Sequence, residues 1–457
     1  MSEGVEVRQK YKQSRYTVLI PLSGELFVLH STLYKSTAVI TKAVAELLNQ
    51  HQDISRATVD AEAWGEIEKL AQQGLLVPSD CDETYYVKYL IDSAKFDYGA
   101  MEIAILTTMA CNFACRYCTE SGFHEDVWLN ESTVERVVEY FERIFAVKHP
   151  RKFRIAYYGG EPLLNINAIK LCSEKFTELT ARFNCELEQY VITNGYLLDG
   201  HMVESLSEFG IRDYQITLDG PEAIHDQRRP LHSGQPTWQR IMGNAIELLQ
   251  SDKFGSLSIR INIDAHNANT IPELLDILVS SGIAGSERVV VYPAPVVPSF
   301  NPKDNWNKYV LRGEEKANVF ITLWQEMYKR DIPVLVFPDY YPCGLRVDWA
   351  SVVYPTGTLY TCTGFLGNSS YAKGSVFGEE TSYVHVKMLE EDISPSCLKC
   401  KWTPFCGGGC KYIATCLRLK RMCEKNFCEK AYPEFIKLKT LQKLERTKGQ
   451  IPVPKCF

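Results

Sequence analysis

The chain has 457 residues, 45% of them hydrophobic and 23% charged, a composition normal for a globular protein and a length that suggests roughly two to four domains. Its formal net charge of -6 argues against broad electrostatic binding to nucleic acid or to an anionic membrane. Residues 289–297 are apolar but short and interrupted by Pro293 and Pro295, so they cannot span a bilayer. The first fifteen residues are polar and lack an apolar signal core, so the expectation is a cytoplasmic protein.

Strands are expected at 16–20 and 25–30 around a turn at Ser23-Gly24, helices at 38–48 and 61–73, and a returning strand at 75–77. Together they suggest a small α+β unit over 14–92, followed by a tyrosine-rich linker at 79–99. From Glu102 the pattern changes to alternating strands (102–106, 153–158, 189–193, 214–218, 257–263, 288–292) and helices. The helices are expected from a capping box at Ser132-Thr-Val-Glu135 and at 166–183, 201–209, 238–250 and 271–281. Six β/α repeats favour a parallel sheet with right-handed crossovers, as an open barrel or a doubly wound sheet, with chemistry at the C-terminal strand ends. Residues 300–330 read as a polar bridge and a helix. From Val334 the chain is rich in Gly, Pro and Cys and needs staples. A last amphipathic helix is expected at 432–447.

Sixteen cysteines fall mostly into two groups, 111–118 and 343–428. With nothing directing secretion, metal binding is a better reading than disulfides. In the first group, Cys111, Cys115 and Cys118 follow the first barrel strand. Three thiolates suit three irons of a cubane and leave one iron for an external ligand. A zinc site with His124 as fourth ligand has the same spacing.

This CxxxCxxC loop, with an aromatic before its last cysteine, resembles the radical S-adenosylmethionine (SAM) superfamily. The resemblance implies that the open iron chelates the amino and carboxylate groups of SAM, whose reductive cleavage yields a 5′-deoxyadenosyl radical that abstracts hydrogen from substrate. Gly159-Gly160-Glu161-Pro162 ends the second strand; paired glycines allow close approach to backbone, and Glu161 supplies an anion for an ammonium. In this position the segment resembles the family's SAM methionine-binding motif. Thr193-Asn194-Gly195, Thr217-Leu-Asp219-Gly220 and His225-Asp226-Gln-Arg-Arg229-Pro230 resemble segments of its peptide-modifying branch. By that resemblance Thr217 and Arg229 approach the SAM ribose and carboxylate, Asn194 lies nearby, and Tyr117 offers backbone to adenine. Arg260 and Asn262 share one strand face; for Arg260 a salt bridge and a cofactor contact both stay open. His225 reads as a turn cap, and no catalytic side chain is assigned beyond the radical cluster.

In the second group Cys343 is followed by thirteen residues, Gly357-x4-Cys362, then Cys397-x2-Cys400-x5-Cys406-x3-Cys410, and later Cys428. Two zinc ribbons are one reading. The array resembles the SPASM domain, which implies two auxiliary [4Fe–4S] clusters and three clusters in all. By position, Cys343, Cys362 and Cys410 would hold the first, and Cys397, Cys400, Cys406 and Cys428 the second. Sulfatase-maturing relatives have a further ligand between Cys343 and Cys362, where this chain carries residues such as Trp349. An iron is thereby left open to a substrate thiolate, or filled by Cys416 or Cys423. Cys81, Cys172, Cys185 and Cys456 read as ordinary thiols.

The expected fold is α/β. A partial (β/α)6 radical SAM barrel (100–300) follows a small winged-helix-like unit (1–92), and a bridge (301–333), a SPASM domain (334–431) and a helix with tail (432–457) come after it. The first unit resembles the leader-binding domain of enzymes that modify ribosomally made peptides, in which a peptide adds to a sheet edge; a scaffold covering the barrel is its other reading. The resemblance implies a peptide maturase of the thioether-forming sactipeptide or ranthipeptide type. Carbon–carbon or carbon–oxygen cross-linking, epimerisation, formylglycine maturation of sulfatases and a zinc-binding scaffold are the alternatives. Implied partners are a precursor peptide bound through its leader and an electron donor such as flavodoxin or ferredoxin, with neither nucleic acid nor membrane.

Overall fold

The computed structural model describes residues 10–120, 126–300, 305–335, 343–378, 382–391 and 393–449; His124 and Cys456 lie outside them. The N-terminal unit comprises β1 (Lys10–Gln13), β2 (Thr17–Ser23), β3 (Leu26–Ser31), β4 (Thr37–Thr41), α1 (Lys42–Gln50), β5 (Ile54–Ser55), α2 (Ala61–Gln72), β6 (Leu76–Pro78) and α3 (Glu83–Lys95). Strands β2, β3 and β4 form an antiparallel meander, and β1 sits between β5 and β6 in a second small sheet.

Two expectations fail here. Residues 38–41 are strand and not helix, because β-branched Thr37, Val39, Ile40 and Thr41 pair along β3. The helix starts only at Lys42, where the Thr41 side chain accepts from Val44 N. The expected linker at 79–99 contains α3, capped by Asp82. Its tyrosines disguised the pattern, since Tyr85 and Tyr89 point to solvent.

From β7 (Ala100–Thr108) the strands β8 (Lys152–Gly159), β9 (Glu186–Thr193), β10 (Asp213–Leu218), β11 (Ser256–Ile263) and β12 (Val289–Pro295) run parallel in chain order. Their period of two divides the side chains. Met101, Ile103 and Ile105 of β7 and Phe153, Ile155 and Tyr157 of β8 are buried in the main core. Phe153 meets the rings of Phe141, Phe145 and Phe176 at 5.1–5.5 Å, except that Phe141 and Phe176 are themselves 6.0 Å apart. The alternate residues, Glu102, Ala104, Arg154, Ala156 and Tyr158, line an interior cavity of about 1830 Å³. Ion pairs cross that interior, with Arg154 at 3.1 Å from Glu102 and 2.9 Å from Glu188.

The helices between the strands lie close to the expected positions, except Glu222–Arg228, which was not expected. They are α4 (Glu131–Lys148), α5 (Ile166–Arg182), α6 (Gly200–Glu208), α7 (Glu222–Arg228), α8 (Trp238–Gln250) and α9 (Ile271–Ser280), with α10 (Gly313–Lys329) beyond the barrel. The expected capping box is displaced: the cap of α4 is Asn130, which accepts from Thr133 N at 2.9 Å.

The sheet does not stop at β7. Strand β13 (Ser351–Val353) pairs parallel with β7, and β14 (Thr358–Tyr360) and β15 (Gly374–Ser375) continue it antiparallel. The cysteine-rich segment thus covers a barrel edge that would otherwise expose unpaired backbone. The last helix, Lys425–Gly449, begins seven residues before its expected start and runs through Pro433. Among the described residues no helix is long and apolar enough to cross a membrane.

The N-terminal unit is knitted to both other parts. Val18, Ile20, Leu22 and Val28 belong to the same core as the barrel strands. The Tyr16 hydroxyl donates to the Leu398 carbonyl, Thr32 Oγ1 donates to the Lys401 carbonyl at 2.5 Å, and His30 stacks on Phe405 at 5.9 Å.

Asp348 ties the cysteine-rich segment to the residues just before β7. It accepts from Tyr98 Oη, its Oδ1 lies 3.1 Å from His385 Nε2, and its own carbonyl receives the Lys373 ammonium. The hydrogen bond with His385, then that from Tyr98 and the Lys373 charge, hold the Asp348 carboxyl down to about 2 against the opposing effect of burial. A depressed carboxyl stabilises the fold above its unfolded value, about 3.9, and this stabilisation fades as pH falls through the folded value. Asp348→Asn is therefore expected to cost about 1–3 kcal/mol near neutral pH. Chemical denaturation should show the gap to wild type closing between about pH 4 and pH 2; a gap independent of pH would contradict the charged role.

Candidate active site

The three cysteines Cys111, Cys115 and Cys118 occupy the loop after β7, at the C-terminal mouth of the barrel, and all three line the interior cavity. The loop is fastened on two sides. On one side Gly160 N donates to Thr108 O at 3.0 Å and Glu161 N to Ala110 O at 2.9 Å. On the other, Ala114 N donates to Pro230 O at 2.8 Å, Arg116 N to Arg228 O at 3.1 Å and His232 N to Asn112 O at 3.2 Å.

Gly159 and Gly160 are needed for the first fastening. A Cβ on Gly159 would stand 2.2 Å from Thr108 O, and one on Gly160 2.3 Å from Ala110 O; Gly159 also has φ +141°. The close approach that these glycines permit is that of the cysteine loop's own backbone. Glu161 is likewise turned inward and fully buried. Its carboxylate accepts from Thr193 Oγ1 at 2.7 Å, Asn194 N at 2.8 Å and Leu163 N at 3.1 Å, so it clamps the end of β9. Burial pushes this carboxyl up to about 7, and those three hydrogen bonds oppose the rise. The structure thus gives Glu161 partners within the chain in place of the expected ammonium.

Tyr117 is a hub. Its hydroxyl donates to Asp219 Oδ1 at 2.9 Å and accepts from Arg229 Nη1 at 2.7 Å and Asn262 Nδ2 at 2.9 Å. Asn194 reaches back to the cysteine loop, donating from Nδ2 to Asn112 Oδ1 at 2.7 Å. Tyr117, Gly159, Gly160, Asn194, Thr217 and Arg229 line the cavity beside the three cysteines, as do Arg260 and Asn262; Glu161 stands behind the wall. Arg260 Nε donates to Asn262 Oδ1 at 2.8 Å. His225 is buried with its ring held neutral by burial, and its Nδ1 is 3.4 Å from Asp219 N, a structural position that agrees with the turn-cap reading.

Sequence reasoning missed Arg228. It is fully buried, with Nε 3.0 Å from Asp219 and Nη1 2.9 Å from Asp264, and its guanidinium lies over the rings of Tyr117 and Trp306 at 4.9 and 5.2 Å. Adjacency to Arg229 was the only signal, and nothing in spacing distinguishes which arginine faces inward. Arg228 Nη2 and Arg229 Nε are buried with no hydrogen-bond partner among the described residues. Buried donors without acceptors are costly, and those on Arg229, a cavity-wall residue, suit an anionic ligand.

Burial pushes the Cys111 thiol up to about 12 and raises Cys115 and Cys118 as well. Thiolates in such a site need a bound cation to stay deprotonated. Among the described residues no three His, Cys, Asp or Glu side chains converge tightly enough for a single ion. Tetrahedral zinc would require sulfurs only about 3.8 Å apart, from a Zn–S length of about 2.3 Å. Three buried thiols in one loop suit a metal group that keeps them deprotonated.

The C-terminal cysteines lie in two neighbourhoods, one around Cys362 and one around Cys397 and Cys406. Burial first, then the neighbouring Cys343, Cys410 and Cys416, push the Cys362 thiol up to about 12. Cys397 is raised by burial and then by Cys406, Cys423 and Cys400, while a hydrogen bond with Cys428 lowers Cys406 and raises Cys428. Cys343 is exposed and lies on the same cavity wall that carries the 111–118 loop.

An open parallel barrel with a three-cysteine loop at its mouth is the architecture of a radical SAM enzyme. Residues 105–278 match the Radical SAM superfamily, so the chain carries a radical SAM domain. It is 24% identical over 349 residues to a serine-type anaerobic sulfatase-maturating enzyme of Klebsiella aerogenes, covering 69% of this chain and 80% of that one. An uncharacterized protein of Methanocaldococcus jannaschii, MJ0907, is 25% identical over 190 residues, 40% of this chain, and the match spans only 60% of that relative. Two solved structures share the fold. anSMEcpe with bound AdoMet has a TM-score of 0.58 and 20% identity, covering 77% of this chain and 96% of that one. Streptococcus suis SuiB bound to its precursor peptide SuiA has a TM-score of 0.51 and 14% identity, covering 92% and 100%.

Proposed function

We propose that this radical SAM enzyme matures a ribosomally made precursor peptide by joining a carbon of the peptide to another of its groups, with a cysteine thioether as the first choice of bond. The observation that carries the reading is the shared cavity: the Cys111–Cys118 loop and Cys343 of the second cysteine array face one interior of about 1830 Å³, room for a peptide segment between them. The solved complex of SuiB with a precursor peptide, which shares this fold over 92% of the chain, supports a peptide substrate.

In this reading Cys111, Cys115 and Cys118 hold a [4Fe–4S] cluster, Cys343, Cys362 and Cys410 belong to a first auxiliary cluster, and Cys397, Cys400, Cys406 and Cys428 to a second. Bound there, the radical cluster and SAM supply the hydrogen-abstracting chemistry. This chain's residues do the positioning. Arg229, held by Tyr117, would offer its Nε to the SAM carboxylate, and Thr217 stands on the wall where the ribose would lie. The buried Arg228–Asp219–Asp264 network keeps Tyr117 and Arg229 rigid, and preorganised positioning of this kind determines rate.

The N-terminal unit serves peptide recognition. β4 is the outer strand of its meander, paired only through β3, and Thr37 and Val39 of that strand line the cavity. A leader peptide adding as a strand to this edge would be fed toward the barrel interior. Electrons come from a flavodoxin- or ferredoxin-like donor.

Anaerobic co-expression with a short cysteine-bearing precursor peptide tests the proposal. The expected product is lighter by two hydrogens per cross-link and has lost an alkylatable thiol. An unaltered peptide, together with conversion of a sulfatase peptide to formylglycine, would favour the second reading, which the likeness to sulfatase-maturating enzymes supports.

A further inference from the structure

Two loops and a short helix meet around the first gathering of C-terminal cysteines. The backbone after Cys343 lies against that before Cys362: a Cβ on Gly344 would stand 2.4 Å from the Thr361 carbonyl oxygen. Two residues after Cys362, Gly364 lies against Tyr412 in the same manner, its Cβ position 2.5 Å from the ring. Cys343, Cys362 and the helix Lys411–Cys416 are thereby held together. Cys410 caps that helix, its Sγ accepting from Ile413 N at 3.5 Å, and Cys416 is its last residue. Cys362, Cys410 and Cys416 all pack on one apolar cluster that includes Leu345, Phe365 and Tyr412. Tyr412 Oη and Cys416 Sγ both reach the Pro298 carbonyl, at 2.8 and 3.8 Å, which fixes the helix just past the end of β12. The other spare thiol, Cys423, is exposed and adjoins the Cys397 gathering.

We propose that Cys416 is the fourth protein ligand of the first auxiliary cluster, beside Cys343, Cys362 and Cys410, so that this cluster has no iron open to a substrate thiolate. The assignment rests on the reading of the C-terminal array as iron–sulfur sites. A [4Fe–4S] cluster ordinarily takes one thiolate at each of four irons, and Cys416 supplies the one that the positional assignment lacks. The chemical consequence is that this cluster exchanges electrons with the substrate and does not hold its sulfur. Of the four, only Cys343 lines the cavity.

Thiol alkylation of the anaerobically purified full chain, read by mass spectrometry, tests the ligand directly. Cys416 is expected to resist labelling until iron is stripped with a chelator and then to label at least about tenfold faster, as release from a metal–thiolate bond requires. Labelling at the same rate before and after stripping overturns the proposal. A second measurement uses the C111A/C115A/C118A chain, in which the open radical site is absent. Its reduced electron paramagnetic resonance spectrum should be indifferent to added 2-mercaptoethanol, and the further change Cys416→Ala should make it respond. A parent spectrum that already responds to the thiol shows an open iron and refutes the assignment. Zinc without sulfide in the parent would instead sink the cluster reading on which the assignment rests.

Discussion

Replacing Cys111, Cys115 and Cys118 together with Ala is expected to remove about four irons per chain, as one [4Fe–4S] cluster implies, and to reduce SAM cleavage to background. The three residues lie in one loop, fastened to Gly160–Glu161 on one side and to 228–232 on the other by backbone hydrogen bonds that do not use the thiols. Loss of the sulfurs should therefore leave the loop path and the barrel intact. The C-terminal gatherings are held by separate contacts, with Gly344 on Thr361 and Gly364 on Tyr412, and should keep their iron. Iron and sulfide analysis of anaerobically reconstituted protein, together with chromatography of 5′-deoxyadenosine, reads both effects. Cleavage that persists in the triple variant would show that the 111–118 loop is not the radical site.

The second large effect is an uncoupling. Cys410→Ala should leave 5′-deoxyadenosine formation within a few-fold of wild type, since Cys410 does not line the cavity that carries the 111–118 loop and Arg229, while cross-linked peptide falls to background. Joining a carbon radical to a thiol requires the loss of an electron and a proton, and a neighbouring cluster is a suitable acceptor whose potential depends on ligation and exposure. Cys410 also caps a helix, so the variant must be shown to keep its thermal transition. Cross-linked peptide made at the wild-type rate by a folded variant without the first auxiliary cluster would refute the electron-acceptor role.

Deletion of the N-terminal unit is a poor test of leader recognition. Val18, Ile20, Leu22 and Val28 share the barrel's core, and Tyr16 and Thr32 donate to carbonyls within the Cys397–Cys406 loop. Removing the unit would strip apolar cover from the barrel and hydrogen bonds from the second array together. Substitutions on the β4 edge, such as Val39→Pro, which adds a ring and removes a backbone donor at a partly exposed position, separate recognition from folding more cleanly.

The barrel was legible because its strands recur in a regular β/α alternation, and all six strands fall where the pattern puts them; the short helix Glu222–Arg228 was missed, since seven residues carry little periodicity. β13 to β15 were not legible: strands of two or three residues carry no periodicity, and their place beside β7 is a tertiary fact. Thr37–Thr41 was misread because its apolar residues also fit the phase of the helix that follows. At the site, spacing disclosed the cysteines and the loops, since ligands from one loop must be close in sequence. The Tyr117–Arg229–Asn262 hub and the Arg228 ion pairs join side chains from different loops, and no local pattern records such a meeting. The glycines after β8 were found, but their reason was the approach of the chain's own backbone at Thr108 and Ala110.

Hydrogen transfer from a peptide to SAM-derived 5′-deoxyadenosine is the central claim, and isotopic labelling measures it most directly. The cluster-loaded enzyme would be reduced anaerobically with SAM and with the precursor peptide uniformly deuterated on carbon, and the released 5′-deoxyadenosine examined by mass spectrometry. The account predicts deuterium in the 5′-deoxyadenosine in step with appearance of cross-linked peptide. Unlabelled 5′-deoxyadenosine formed at the same rate with and without the peptide would contradict it.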